Sequence, residues 1–274
     1  SLLKKKPKKF DGFWASVSKI KTYKTCPLQF KFSYIDRLPK KTRDYHVLGS
    51  FAHYCLEYFE LKRIEGDVRS DIDLMKESFK MGREKFPEAT KDQVKQVYDM
   101  MVNYLKLISN LKKNNELPDV LAVEEEFYID IDGEILLMGF IDKVQRDPDG
   151  VIHVMDYKTS NPKNKKYMKK DKFQLLTYAY VKHLQDPSIK KVRASYCMLK
   201  DNFSLVPFEF DLDEILSVEK KYIEDVEKIR EDKLYRPEVG NLCKFCDFLE
   251  HCEEGTKFVE GLQKKEESKN KPPQ

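Results

Sequence analysis

No run in the chain approaches the roughly 20 consecutive apolar residues that cross a bilayer, so no segment is expected to span a membrane. The opening LLKKKPKKF is not followed by the hydrophobic stretch of a secretory signal. The expectation is a cytoplasmic chain with no membrane partner. No internal repeat is visible, and the phosphate-loop pattern GxxxxGK[ST] does not occur. Any ATP-driven motor must then belong to another chain. Large net charge is missing too: 51 basic against 47 acidic residues leave +4, which only weakly favours a polyanionic partner.

Charge itself is plentiful. Charged residues make up 36% of the chain, against about a quarter in an ordinary domain. The lysines cluster at the start, in NPKNKKYMKKDK at 161–172, and in QKKEESKNK near the end. The two terminal clusters read as solvated tails. Six cysteines in a chain expected to sit in a reducing compartment suggest metal binding before disulfides.

From residue 16 to about 115 the apolar residues recur every three to four positions, as in LGSFAHYCLEYFELKRI, and imply a layer of helices. From 120 onward β-rich runs are punctuated by Asp132-Gly133 and by Asp147-Pro148-Asp149-Gly150, which predicts three successive antiparallel strands. A helix over KFQLLTYAYVKHL, a strand pair turning at Asp201-Asn202 and the amphipathic DEILSVEKKYIEDVEKIRED follow. The fold class is therefore α/β, a mixed central sheet flanked by helices. The expected organisation is a basic tail over 1–15, one domain over 16–257 and a polar, unstructured tail over 258–274. Within the domain lie a helical part (16–118), a sheet core (119–232) and a cysteine segment (233–257).

One strand ends oddly. In DGVIHVMDYKTSN, Asp156 and Lys158 sit two apart and so share a face at the end of an apolar run. Two charges there are costly unless something uses them. Across a single hairpin, Asp142 in MGFIDKV falls on the neighbouring strand, where it could converge with Asp156. Paired carboxylates repel and attract a cation, and hard oxygen donors with few imidazoles select magnesium or manganese. A lysine beside such an ion can orient water, help deprotonate it or neutralise a phosphate, which is the chemistry of phosphodiester hydrolysis. Glu124, Glu125 and Glu126 read as a solvated strand edge, with Glu124 the best exception. Glu57 reads as solvated or as a neighbour of the ligands. Lys163, Lys165 and Lys166 directly follow the charged strand and are the candidates for phosphate contact.

GFIDKV…VMDYKTS resembles the signature of PD-(D/E)XK nucleases, and in particular its RecB-type form. The resemblance extends to His53 in LGSFAHYCLEYF, to Gln174 and Tyr178 in QLLTYAY, and to Cys26, Cys243, Cys246 and Cys252. The cysteine set is similar to that of iron-sulfur nucleases of the AddB and CRISPR-associated exonuclease type. The match runs from about 16 to 252. It implies a restriction-endonuclease-like fold, with catalytic Asp142, Asp156 and Lys158. It further implies metal ligation by His53, Asp142, Asp156 and the Tyr157 carbonyl, and DNA positioning or support of Lys158 by Gln174 and Tyr178. By itself the spacing Cys243-x2-Cys246-x5-Cys252 leaves a four-thiolate zinc site open. The resemblance favours a [4Fe-4S] cluster held by the four cysteines, whereas Cys55 and Cys197 read as buried thiols. The activity implied is a largely sequence-independent DNA exonuclease acting on single strands or free ends in recombination, repair or processing, with a helicase or recombination chain as partner. A structure-selective endonuclease and a non-catalytic nucleic-acid scaffold are the alternatives.

Overall fold

The computed structural model describes residues 2–41 and 43–269. In chain order the elements are β1 (Leu2–Leu3), β2 (Phe13–Ala15), α1 (Val17–Thr25), α2 (Pro27–Phe30), α3 (Asp44–Ile64), α4 (Asp71–Lys85) and α5 (Lys91–Lys113). There follow β3 (Asp119–Ile131), β4 (Ile135–Arg146), β5 (Ile152–Lys158), α6 (Lys165–Met168), α7 (Phe173–Gln185), β6 (Val192–Met198), β7 (Ser204–Phe210), α8 (Leu212–Glu231) and α9 (Glu253–Lys269). The local signals explain many boundaries. Pro27 has no amide to donate, so α1 stops before it and α2 starts on it. Thr90 and Gln93 close a capping box at the start of α5. Asp132 and Gly133, both with positive φ (54° and 71°), turn β3 into β4.

The strands form one seven-stranded sheet in the order β1-β3-β4-β5-β6-β7, with β2 pairing β4. Along that six-strand order pairing is antiparallel except between β5 and β6, whose parallel register is made possible by the crossover through α7. The fold is thus mixed α/β, a mostly antiparallel sheet flanked by helices. Contacts group the chain into two compact units, one of residues up to Trp14 with Arg43–Lys221, the other of residues 15–41 with those from Tyr222 onward.

Two tails differ from expectation. The basic start is not merely solvated: Leu2 and Leu3 pair with Ile129 and Tyr128, because two leucines ahead of the lysines can extend an otherwise open sheet edge. The polar end is not unstructured as far as 269, since α9 runs from Glu253 to Lys269; residues 270–274 lie outside the described residues. Its start is fixed by Cys252, whose sulfur accepts the Gly255 amide at 3.3 Å.

In the first unit, α3, α4 and α5 bury Phe51, Leu56, Phe59, Met101 and Tyr104 in a cluster that includes Met155, Tyr157 and Cys197 of the sheet. α4 lies so close to α3 that a Cβ on Gly82 would stand 2.6 Å from the Phe51 ring and 2.8 Å from Cys55 Sγ. Replacing a helix glycine by alanine normally gains up to about 1 kcal/mol. Overpacking a core typically costs about 1–3 kcal/mol and should win here. Gly82→Ala is therefore expected to lower the urea midpoint, and an unchanged or raised midpoint would show that the two helices separate freely.

Candidate metal centre

The site stands where three adjacent strands stop pairing regularly. β4 and β5 pair Val144 with Val154 and Lys143 with Met155, after which the ladder ends. One step further in this register Asp142 faces Asp156, on the sheet face that carries Val144 and Val154. The Asp142 side chain takes over the next bond: its Oδ2 accepts the Tyr157 amide at 2.6 Å. On its other side β3 pairs Val123 with Lys143 and Glu125 with Ile141, which sets Glu124 across from Asp142. A register irregularity between Val120 and Ala122 and a positive φ of 45° at Glu124 accompany that placement.

From α3, His53 brings an imidazole to the same spot. Its Nε2 lies 3.2 Å from the Tyr157 carbonyl oxygen and its Nδ1 3.6 Å from Asp142 Oδ1. Ligand atoms of His53, Glu124 and Asp142 all lie within 4.8 Å of one another. One imidazole, two carboxylates and a nearby carbonyl are a donor set suited to a divalent ion that accepts oxygen and nitrogen. Asp156 stands beside this trio and is turned to Lys158, with Oδ2 and Nζ 2.6 Å apart. Lys158 Nζ also donates to Gln174 Oε1 at 3.3 Å, and Gln174 Nε2 donates to the Tyr178 hydroxyl at 2.8 Å. The i,i+4 pair on α7 thus braces the lysine.

The electrostatics follow from crowding. Burial, against the pull of Asp156 and Glu124, lowers the His53 pKa and keeps the ring neutral, the form that ligates metals. Burial and the adjacent Asp142 push Glu124 up to about 7. Burial and then Asp156 carry Asp142 well above the usual carboxylate range, despite the Tyr157 amide. Burial disfavours the Lys158 ammonium, but the carboxylates around it, Asp156 foremost with Asp142 and Asp171, together outweigh it and raise the pKa. The carboxylates repel one another, and a cation among them would relieve the repulsion.

Sequence reasoning put Glu124 on a solvated edge with Glu125 and Glu126 while marking it as the best exception, and the structure separates it from them. Glu125 instead meets Lys182 at 2.9 Å and Glu126 meets the Tyr128 hydroxyl. Of the three lysines singled out after β5, Lys165 pairs with Asp201, Lys166 lies 4.9 Å from the Tyr167 ring centroid, and the Lys163 amide is capped by Asn161. None of these contacts reaches the carboxylates.

A sequence model of the PD-(D/E)XK nuclease superfamily matches residues 15–253. The chain belongs to that superfamily. Nucleases of this superfamily use divalent metals, and the trio supplies ligands of the right kind. A solved structure of a candidate exonuclease from Eubacterium rectale is 13% identical, with 85% of this chain and 86% of that one covered and a TM-score of 0.52. The crystal structure of SSO0001 is 17% identical over 89% of this chain and 87% of that one, with a TM-score of 0.37. No curated protein matches.

In the metal-free protein, Glu124 and Asp142 have folded pKa values above their unfolded ones, so their contribution is complete below about pH 4 and lost as pH rises. Melting in chelator should fall between about pH 4.3 and about 7. Manganese should remove most of that fall, and Asp142→Asn should abolish the manganese response. Melting curves that manganese leaves unmoved would argue that no ion binds.

Proposed function

We propose that the chain is a divalent-metal-dependent DNA exonuclease that hydrolyses phosphodiester bonds with little regard for sequence, in recombination, repair or DNA processing. The observation that carries this reading is the convergence of His53, Glu124 and Asp142 beside the Asp156–Lys158 pair. Membership of a nuclease superfamily supports it. The exonuclease form draws on the RecB-type resemblance and on the name given to the Eubacterium rectale protein of similar fold.

His53, Glu124 and Asp142, with Asp156 and the Tyr157 carbonyl, would hold magnesium or manganese. Such an ion supplies a Lewis acid for the phosphoryl oxygens and for water. Lys158, held as an ammonium by Asp156 and Gln174, cannot take a proton in that state. It donates instead, to a phosphate oxygen or to the attacking water, and so stabilises negative charge. Lysines of the 161–172 segment grip the DNA backbone, which makes binding salt-sensitive. Linear DNA with free ends should be degraded with manganese and spared in chelator, and closed circles should resist; equal cutting of circles would replace the exonuclease reading with an endonuclease one. Asp156→Ala and Lys158→Ala should each lower cleavage by about 100-fold or more while the melting curve stays cooperative. Normal cleavage by either variant would refute the assignment.

The second unit offers a thiolate site. Cys26, Cys243, Cys246 and Cys252 line one cavity of about 300 Å³. Amides support each sulfur: Glu238 for Cys26 (3.3 Å), Gly240 for Cys243 (3.4 Å), Gly255 for Cys252 (3.3 Å), and Phe248 for Cys246. Such bonds favour thiolates, although burial is the larger effect and raises the pKa of Cys246 and Cys252. Tetrahedral zinc with bonds near 2.3 Å requires sulfurs about 4 Å apart. Among the described residues, no three of these sulfurs lie within 4.8 Å of one another. The resemblance to iron-sulfur nucleases favours a [4Fe-4S] cluster over zinc here, as a structural clasp between residue 26 and the segment after α8. Cys246→Ala is expected to bleach the visible absorption and to destabilise the protein by at least about 3 kcal/mol. A purified protein with zinc and no iron would favour the mononuclear site.

A further inference from the structure

The strands that carry Asp142 and Asp156 have a second face. Alternation along β4 and β5 turns Lys143, Gln145, His153, Met155 and Tyr157 away from the carboxylates, and these residues line a cavity of about 520 Å³ beneath the C-terminal half of α5. That volume lies within the roughly 300–1,000 Å³ of small-molecule sites. Leu107, Ile108, Leu111, Leu117, Val120 and Leu205 give it an aliphatic wall.

The inner end holds an unbalanced charge. Lys143 is only 5% exposed and Glu60 is fully buried. Lys143 Nζ donates to the Tyr104 hydroxyl at 3.0 Å and stands 3.6 Å from Glu60 Oε1. That same carboxylate accepts Arg63 on both oxygens, at 3.0 and 3.2 Å, as well as the Tyr104 hydroxyl. One carboxylate thus serves two cations. Asp71 lies 3.9 Å from Arg63 but is already paired by Lys112 at 2.5 Å, so the surplus remains. A buried ammonium without a counterion of its own is costly, and this one borders an apolar space.

The outer rim is acidic on balance. Glu116, Asp147 and Asp149 lie on it against one base, Arg193. Asp147 is committed to His153 (2.9 Å), Gln145 (2.6 Å) and Arg193 (2.5 Å), and Asp149 to Arg193 (2.9 Å). An anionic head would be repelled there and accepted at Lys143. A single negative charge matches the surplus; a phosphate monoester dianion would overshoot it.

We propose that this cavity binds an aliphatic monocarboxylate, its carboxylate at Lys143 and its chain along the aliphatic wall. Because the cavity floor alternates residue by residue with Asp142 and Asp156, occupancy also changes the rate of cleavage, a consequence that rests on the nuclease reading.

Calorimetric titration of the full chain with decanoate tests the site. Saturable one-to-one binding is expected, with decanol, which has the same chain and no charge, about tenfold weaker or more. Lys143→Met should weaken decanoate by a similar factor and leave decanol unchanged. Leu111→Trp, which fills the space without touching the charges, should weaken both and guards against misfolding of the lysine variant. No binding of decanoate, or equal binding of acid and alcohol, would overturn the proposal. An active preparation whose cleavage rate is unmoved by saturating decanoate would overturn the coupling. An inactive preparation that still binds decanoate would count against the nuclease reading and not the site.

Discussion

Crowded carboxylates that repel one another are the constraint on which the first unit is organised. Glu124, Asp142 and Asp156 come from three neighbouring strands, and each is placed where the regular ladder gives way. The sheet supplies the rigidity that keeps them close against their mutual repulsion; α3 adds the imidazole and α7 the brace on Lys158. Side chains held by packed elements on both faces of a sheet cannot drift apart to relieve charge, so the relief comes from a proton, as the raised pKa values of Glu124 and Asp142 show, or from a cation held among them.

That arrangement also divides labour between the two oxygens of Asp142. Oδ2 is spent on the Tyr157 amide, while Oδ1 faces His53. In the same way Asp156 serves Lys158 and repels Asp142 at once. The site is therefore a network in which ligand orientation and charge are set by the same few contacts, a common feature of centres whose outer partners fix the inner ones.

Much of this was legible in the sequence. The period-two pattern of β5 and the one-hairpin distance to β4 were enough to bring Asp142, Asp156 and Lys158 to one strand end, and i,i+4 spacing was enough to pair Gln174 with Tyr178. Glu124 was only partly legible: it stood out as the best exception among three consecutive glutamates, but the register irregularity and left-handed backbone that accompany its inward placement leave no local pattern. α9 was missed for a different reason. Its first turn is capped by the sulfur of Cys252 and not by serine, threonine, aspartate or asparagine, and its apolar positions are few. The pairing of Leu2 and Leu3 depends on an open edge at β3, which no local pattern reveals.

The bond from Asp142 to the Tyr157 amide makes residue 142 a strand tether as well as an acid. Truncating it to alanine would remove a donor of electrons and unpick the last rung between two segments in one stroke, leaving a buried amide unanswered. Asparagine keeps the rung and deletes only the charge, whereas glutamate keeps the charge and displaces the rung. Chemistry and scaffolding at this position can be teased apart only by such near-isosteres.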